Sequence, residues 1–415
     1  MASISKQSPL ERLMWLALCF LGAASYAWFA IRGYWAQNLA NRLDQTSLEK
    51  SIALEPRNAT YHDLLCRSMI FVSGQPSQAI SECKKSLELD PYSSSFRLDL
   101  AQAYFFGGEK EQCLDAVRRA IAVDPTTPDT AWSAANFFLI QGDTREALQQ
   151  FALVLRGEPT LATPVLNICW QSLHDINRMQ GILPPNPDIY LAFIKLLLSN
   201  GEWAAARQTW SALMKLKQSF DYHDALFYVD SLLEARAVEN ATDAWMQLAS
   251  RSKAMQAYSH PDNLVVDGSF SEEILNSGFD WRYTPRPNIA VALDTNDFHS
   301  GTRSLSLTYS ENGSDAGLFE YIAVQPNKNY QLSAWVKSED LETANGPRLT
   351  LSDASNNTIS VATEETSGST TWHQLETKVQ TGPQTKLLVI AILRSPGETR
   401  IQGKFWIDDI ILRPM

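Results

Sequence analysis

Four prolines set the register of this chain. Pro56, Pro91, Pro125 and Pro159 stand 35, 34 and 34 residues apart, and each follows an acidic residue. Seventeen residues before each of the last three stands a glycine, Gly74, Gly108 or Gly142, and five residues after each glycine a small residue, Ala79, Cys113 or Ala147. A fixed period of this length marks a stacked repeat in which one unit cannot bury its apolar stripe alone. Within a unit the apolar residues recur at helical spacing, as in Leu98, Ala101, Tyr104 and Phe105, then Leu114, Val117 and Ile121. Each unit is therefore expected to be two amphipathic helices folded about the glycine, with proline ending the second.

These residues resemble the tetratricopeptide repeat family. The matching positions are Cys66, Ile70, Ala79, Cys83 and Pro91; Leu100, Ala101, Tyr104, Cys113, Val117, Ala120 and Pro125; and Ala134, Ala135, Phe138, Ala147, Phe151 and Pro159. A half-repeat ending at Pro56 precedes them, and Tyr190 to Trp210 and Tyr222 to Arg251 look like degenerate units. Arg67, Ala101, Ala135 and Ile194 stand where the family has its helix-contact glycine. The resemblance implies a helical repeat domain over 35–258 with a concave groove for a protein partner. The prolines of Gly181-Ile182-Leu183-Pro184-Pro185-Asn186-Pro187 forbid helix interior and predict a rigid loop at 181–187. Trp132, Trp170, Trp203, Trp210 and Trp245 are read as packing between helices.

Ahead of the repeats, Leu13 to Ile31 contains no charge over nineteen residues, near the length that crosses a bilayer. Trp15, Trp28, Tyr34 and Trp35 suit the interfacial ends. The preferred reading is an uncleaved transmembrane anchor at 13–34. Lys6 and Arg12, set against Arg32 and Arg42, favour a cytoplasmic tail at 1–12 and a periplasmic or extracellular bulk. A cleaved signal peptide, with Ser25-Tyr26-Ala27 as its processing site, is the alternative. Either exports the remainder.

Beyond Ser259-His260-Pro261 the period turns from helical to alternating, which places a domain boundary near His260 and a β-rich domain at 262–415. Nine strands are expected: Asn263 to Val266, Ser304 to Tyr309, Phe319 to Val324, Tyr330 to Lys337, Arg348 to Ser352, Thr358 to Ala362, Trp372 to Val379, Leu387 to Leu393 and Lys404 to Leu412. Short strands between turn-rich loops imply an antiparallel sandwich or jelly roll. Asn263 to Phe270 with Trp281, Ser300 to Leu305, Val324-Gln325-Pro326, Tyr330 to Lys337, Trp372, and Phe405 to Ile410 are together similar to carbohydrate-binding modules of the calcium-containing jelly-roll type. The resemblance implies a glycan on a sheet or end loop. It also implies a structural calcium ion, with Asp408 and Glu272 as candidate ligands, although Ser271 stands where that family often has Glu.

A pyranose ring has an apolar face and a polar rim, so its binding needs aromatic rings beside hydrogen-bonding groups. Alternation from Tyr330 puts Trp335 with Gln331, Ser333 and Lys337 on the polar face. Trp335 is thus the first candidate platform, followed by Tyr321, Trp372 and Arg394.

Composition excludes several classes. The net charge is -11, with about twenty acidic and about a dozen basic residues after residue 260, so nucleic acid is not an expected partner. Five cysteines without CxxC spacing give neither a zinc site nor a disulfide framework, and they are read as apolar thiols; Cys66 and Cys83, on two helices of one unit, are the pair within reach of one another. There is no phosphate loop, GxSxG or HExxH, the six histidines show no metal spacing, and Asp408 and Asp409, as strand neighbours, should point to opposite faces. The expectation is a membrane-anchored, non-catalytic scaffold of a bacterial-type envelope that docks protein and glycan, with surface polysaccharide assembly or export as its expected setting. A pure protein-interaction scaffold and a cryptic glycan-active enzyme are the alternatives.

Overall fold

The computed structural model describes residues 9–258, 262–310, 315–355, 359–394 and 400–415. The expected junction at His260 and most of the expected cytoplasmic tail lie outside them. The chain divides into two compact units, 1–196 and 197–415.

The first unit is helical: α1 (Pro9–Ala40), α2 (Gln45–Leu54), α3 (Ala59–Phe71), α4 (Pro76–Leu89), α5 (Ser94–Phe106), α6 (Lys110–Val123), α7 (Pro128–Ile140), α8 (Thr144–Gly157), α9 (Ala162–Leu173), α10 (Ile176–Gln180) and most of α11 (Pro187–Ser199). Each feature of the repeat has a local cause. Gly108 and Gly142 adopt φ of 77° and 82°, the left-handed region that closes a helix end. The following residues then reach back, Glu109 N–H to Tyr104 O at 2.9 Å and Asp143 N–H to Phe138 O at 2.8 Å, which satisfies carbonyls that the helix leaves open. Ala79, Cys113 and Ala147 are buried where the paired helices cross. Before each proline the chain leaves helical geometry: Asp90 and Asp124 have ψ of 85° and 83°.

One finding corrects an expectation for this unit. Cys66 on α3 and Cys83 on α4 are joined in a disulfide, Cα to Cα 5.4 Å, rather than lying as separate thiols. A pair of facing small positions inside a helical hairpin serves a thiol pair and a bridge equally, so residue spacing alone does not separate them. The helix that carries the apolar segment runs on past Tyr34 to Ala40; it is long and apolar enough to cross a membrane, with a mean hydropathy of 1.7 over its apolar stretch of eighteen residues. Its last turns bury Ala36 and Ala40, and Ser51 Oγ donates to Ala36 O at 2.9 Å, so α1 supplies the first helix of the opening pair with α2.

The second unit begins with the end of α11, then α12 (Trp203–Leu213), α13 (Leu226–Glu234), α14 (Val238–Arg251) and α15 (Lys253–Gln256). Nine strands follow: β1 (Ile289–Asp294), β2 (Ser304–Tyr309), β3 (Leu318–Ala323), β4 (Asn329–Thr343), β5 (Arg348–Asp353), β6 (Ile359–Ala362), β7 (Gly368–Gln380), β8 (Leu387–Leu393) and β9 (Ile401–Pro414). They form an antiparallel sandwich of a five-stranded sheet, β1-β2-β9-β4-β7, and a four-stranded sheet, β3-β8-β5-β6. Leu305, Leu307, Leu332, Ala334, Val336, Phe405 and Ile407 belong to the same buried cluster as Leu349, Leu351, Ile390 and Ile392.

Asn263 to Val266 is not a strand. It runs beside β9 through Leu264 N–H to Leu412 O at 3.1 Å and Asn263 Nδ2 to Ile410 O at 2.8 Å. Conversely β1 was not among the expected strands, because Ala290 and Ala292 between its branched residues carry little strand preference.

The helices of this unit and its sandwich meet at the turn before Trp281. Asp230 on α13 accepts from Ser277 Oγ at 2.6 Å, from Gly278 N–H at 2.7 Å and from the Arg282 guanidinium. Trp245 on α14 lies edge-on to Phe279, ring centroids 5.9 Å apart, so this indole packs against the β domain rather than between helices. Trp210 stacks on Tyr228 at 4.4 Å, as expected of an interhelical ring.

Candidate functional site on the outer face of the five-stranded sheet

Directly paired residues of an antiparallel ladder project to the same side. Trp335 pairs with Gln374 on β7 and Asp408 on β9, and Lys337 pairs with Trp406. Trp406 in turn pairs with Ser306 on β2. Since Leu332, Ala334 and Val336 are buried in the core, the alternate residues Gln331, Ser333, Trp335 and Lys337 form the outer face, with Trp372 two places from Gln374 on the same side. The expected placement of Trp335 on the polar face is therefore what the structure has.

A loop after β1 closes over this face. The imidazole of His299 stacks on Trp335, centroids 3.8 Å apart and planes 11° from parallel, and stands edge-on to Trp372 at 5.9 Å. His299 Nδ1 and Asp409 Oδ2 are 2.7 Å apart, and Ser300 Oγ donates to Asp409 Oδ1 at 2.9 Å. The backbone N–H groups of His299 and Ser300 donate to Asp408 Oδ2 at 2.8 and 3.0 Å. Burial, opposed by these N–H donors, holds the Asp408 carboxyl above its ordinary range.

Asp408 and Asp409 thus grip one loop, contrary to the expectation that strand neighbours point apart. The ladder shifts register between Ser333 and Trp335, and Asp409 takes φ of 47°. An extra residue in one strand breaks the alternation on which that expectation relied.

Toward β2, Trp406 is buried under two lysines, Lys337 Nζ at 5.1 Å and Lys404 Nζ at 5.8 Å from its ring centre. Its indole N–H donates to Asp294 Oδ2 at 2.8 Å and holds that carboxyl below its ordinary range. Lys337 is paired with Asp297.

The structure separates the four candidate sugar residues. Trp335 and Trp372 come together through His299. Tyr321 lies on β3 of the other sheet, with the Arg282 guanidinium 5.3 Å from its ring centre. Arg394 is buried, its Nε donating to Asn345 O at 3.1 Å and Nη2 to Thr343 Oγ1 at 3.2 Å, so it braces a loop instead of facing a ligand. His299 was grouped with scattered surface histidines; it stands 36 positions from Trp335, and no local pattern links them.

The calcium expectation fits this geometry poorly. Asp408 spends its oxygens on N–H donors, including Asp409 N–H at 2.7 Å, and backbone donors aimed at a carboxylate oppose a cation there. Among the described residues no group of three or more His, Cys, Asp or Glu side chains is placed to hold a metal ion.

The tetratricopeptide repeat family model matches residues 73–135, and a carbohydrate binding domain model matches residues 262–396. Solved structures similar to parts of the chain include a CBM4 module at 13% identity, covering 36% of this chain and 99% of that one with a TM-score of 0.29. MamA is 18% identical over 42% of this chain and 86% of its own, TM-score 0.27. PilF of Pseudomonas aeruginosa is 18% identical over 47% and 93%, TM-score 0.27. No curated protein matches the chain. The chain carries tetratricopeptide repeats in its helical region and a β-sandwich of the carbohydrate-binding type at its C-terminal end.

Proposed function

We propose that this protein is a non-catalytic scaffold of the cell envelope. In this reading the outer face of the five-stranded sheet takes a glycan, the repeats dock protein, and α1 anchors the chain in the membrane, in the service of surface polysaccharide assembly or export. The observation that carries the glycan half is the aromatic cluster of Trp335, His299 and Trp372 among Gln331, Ser333 and Gln374. His299 covers one face of the Trp335 ring and fixes its plane, and the amides and hydroxyl around it suit the rim of a sugar.

Two observations support export of the helical region. The apolar segment of α1 has the length of a span, and the Cys66–Cys83 bridge belongs to an oxidising compartment. A non-catalytic role is favoured by the engagement of Asp408 and Asp409 with the 299–300 loop, which leaves neither placed as a free acid or base.

A glycan array with the full chain tests the sugar half. Binding that falls about tenfold or more in Trp335→Ala, a loss of roughly 1–3 kcal/mol for one stacked ring, is the expected result. Silence of the array, or an unchanged Trp335→Ala, ends that half. Photo-crosslinkers placed along the repeats in intact cells test the docking half, which fails if no protein adduct forms at any position.

A further inference from the structure

A groove on the first unit is lined by basic, amide and apolar side chains. It encloses about 750 Å³ between α8 and the segment of α10 and its following turn. Arg145, Arg156 and Arg178 stand on its walls, with Leu148, Ala152 and Ile182 between them, and no Asp or Glu lines it.

Arg145 and Arg156 lie eleven positions apart on α8, about three full turns, so both fall on one stripe with Leu148 and Ala152 between them. Both are exposed, and no carboxylate pairs with either among the described residues. Arg178 is anchored instead: its Nε lies 3.2 Å from Asp175 Oδ2, and its Nη1 donates to Thr144 Oγ1 at 3.4 Å. Guanidinium groups recognise carboxylates through paired hydrogen bonds, and an unpaired pair of them beside an apolar floor is complementary to an acidic, partly apolar chain.

We propose that this groove docks an extended acidic segment of a partner protein. The helical rise puts about 16 Å between Arg145 and Arg156; four residues of extended chain reach about 13 Å, and the long arginine side chains span the rest. The segment would carry carboxylates four positions apart, which extended chain turns to one face, with an apolar side chain midway between them on Leu148, Ala152 and Ile182. This deepens the docking half of the proposed function, rests on it, and is independent of the sugar face.

The test uses the full chain in lipid nanodiscs and a fluorescein-labelled peptide, Glu-Thr-Val-Thr-Glu, read by anisotropy. The peptide should bind, weaken with added salt, and lose about tenfold or more in affinity both in the R145E/R156E double variant and when its two Glu are replaced by Gln. Both substituted sites are exposed, and retention of the Cys66–Cys83 bridge and of the helical circular dichroism checks the fold. The proposal is overturned if the peptide does not bind, if the Gln peptide binds equally, or if R145E/R156E holds it as the natural chain does. Displacement by an oligogalacturonate at lower concentration than by unlabelled peptide also overturns it, in favour of an anionic sugar. These results are distinct from the crosslinking outcome: adducts elsewhere on the repeats with no peptide bound here would sink the groove and leave the scaffold standing.

Discussion

The indole of Trp245 occupies the space that a side chain on Gly278 would need: a Cβ built there falls 2.1 Å from Trp245 Cζ3, and Gly278 already sits at φ +62°. The turn carrying Gly278 is at the same time bonded to Asp230, so helix and sandwich are keyed by shape and by hydrogen bonds in one place. Gly278→Ala should therefore lower the stability of this unit by about 3 kcal/mol or more, combining overpacking with a strained backbone. Denaturant unfolding followed by Trp fluorescence measures it, and a loss below about 1 kcal/mol would contradict the account.

The stack of His299 on Trp335 makes a separate prediction for the sugar face. His299→Ala removes the ring that fixes the indole, and glycan affinity should fall by about three- to tenfold with little change in stability. Tyr321→Ala, on the opposite sheet, should leave affinity unchanged. Calorimetric titration of both variants decides between this face and one that includes β3.

How far the architecture could be read depended on whether a feature repeats or is local. The interval from Gly108 to Pro125 recurs from Gly142 to Pro159, so one register exposed three helical hairpins at once. Among the described residues eight of the nine strands were legible for a related reason, since branched and aromatic residues alternate, as from Tyr330, or run unbroken, as from Leu387. Single events left no such trace. The bulge at Asp409, the approach of His299 to Trp335 and the bridging of Cys66 to Cys83 each depend on one tertiary contact, and no periodicity announces it. The burial of Arg394 was not legible because a charged residue at a strand end is normally solvated, whereas here loop oxygens of Thr343 and Asn345 satisfy it in the interior.

Buried carboxylates give this unit a pH dependence. Glu320 is fully buried, and desolvation, opposed by the Val266 N–H at 2.7 Å and reinforced by Asp280 and Asp267, holds it well above the usual carboxylate range. Burial likewise pushes Asp280 up to about 8, and Asp267 up to about 6. The folded chain thus keeps protons that the unfolded chain releases above its ordinary carboxyl pKa of about 4. The stability these three groups contribute is fullest below that value and falls as pH rises toward about 8. Glu320→Gln keeps the acceptor for Val266 and removes one of these protons, so the slope should flatten and the variant should gain about 1–3 kcal/mol at pH 8. Urea unfolding at several pH values tests this; an unchanged slope would refute it.

The Cys66–Cys83 bridge ties α3 to α4 across seventeen positions. A closed loop of that length restricts the unfolded chain enough to stabilise the fold by about 3 kcal/mol, provided the bridge fits the folded geometry. Both residues are buried in the cluster that also holds Leu65, Ile70 and Ala79, so loss of the bond leaves two thiols that the site still accommodates. Cys83→Ala, or reduction, should therefore lower the melting temperature of the repeats while the far-ultraviolet spectrum stays helical, and the sandwich should be unaffected. Thiol labelling of chain recovered from cells adds the compartment: in an exported chain the pair resists labelling until a reductant is added, whereas Cys113 and Cys169, buried and with their thiols pushed up to about 11 and about 12, label only on unfolding. A chain in which Cys66 and Cys83 label without reductant on unfolding would place the repeats on the reducing side of the membrane.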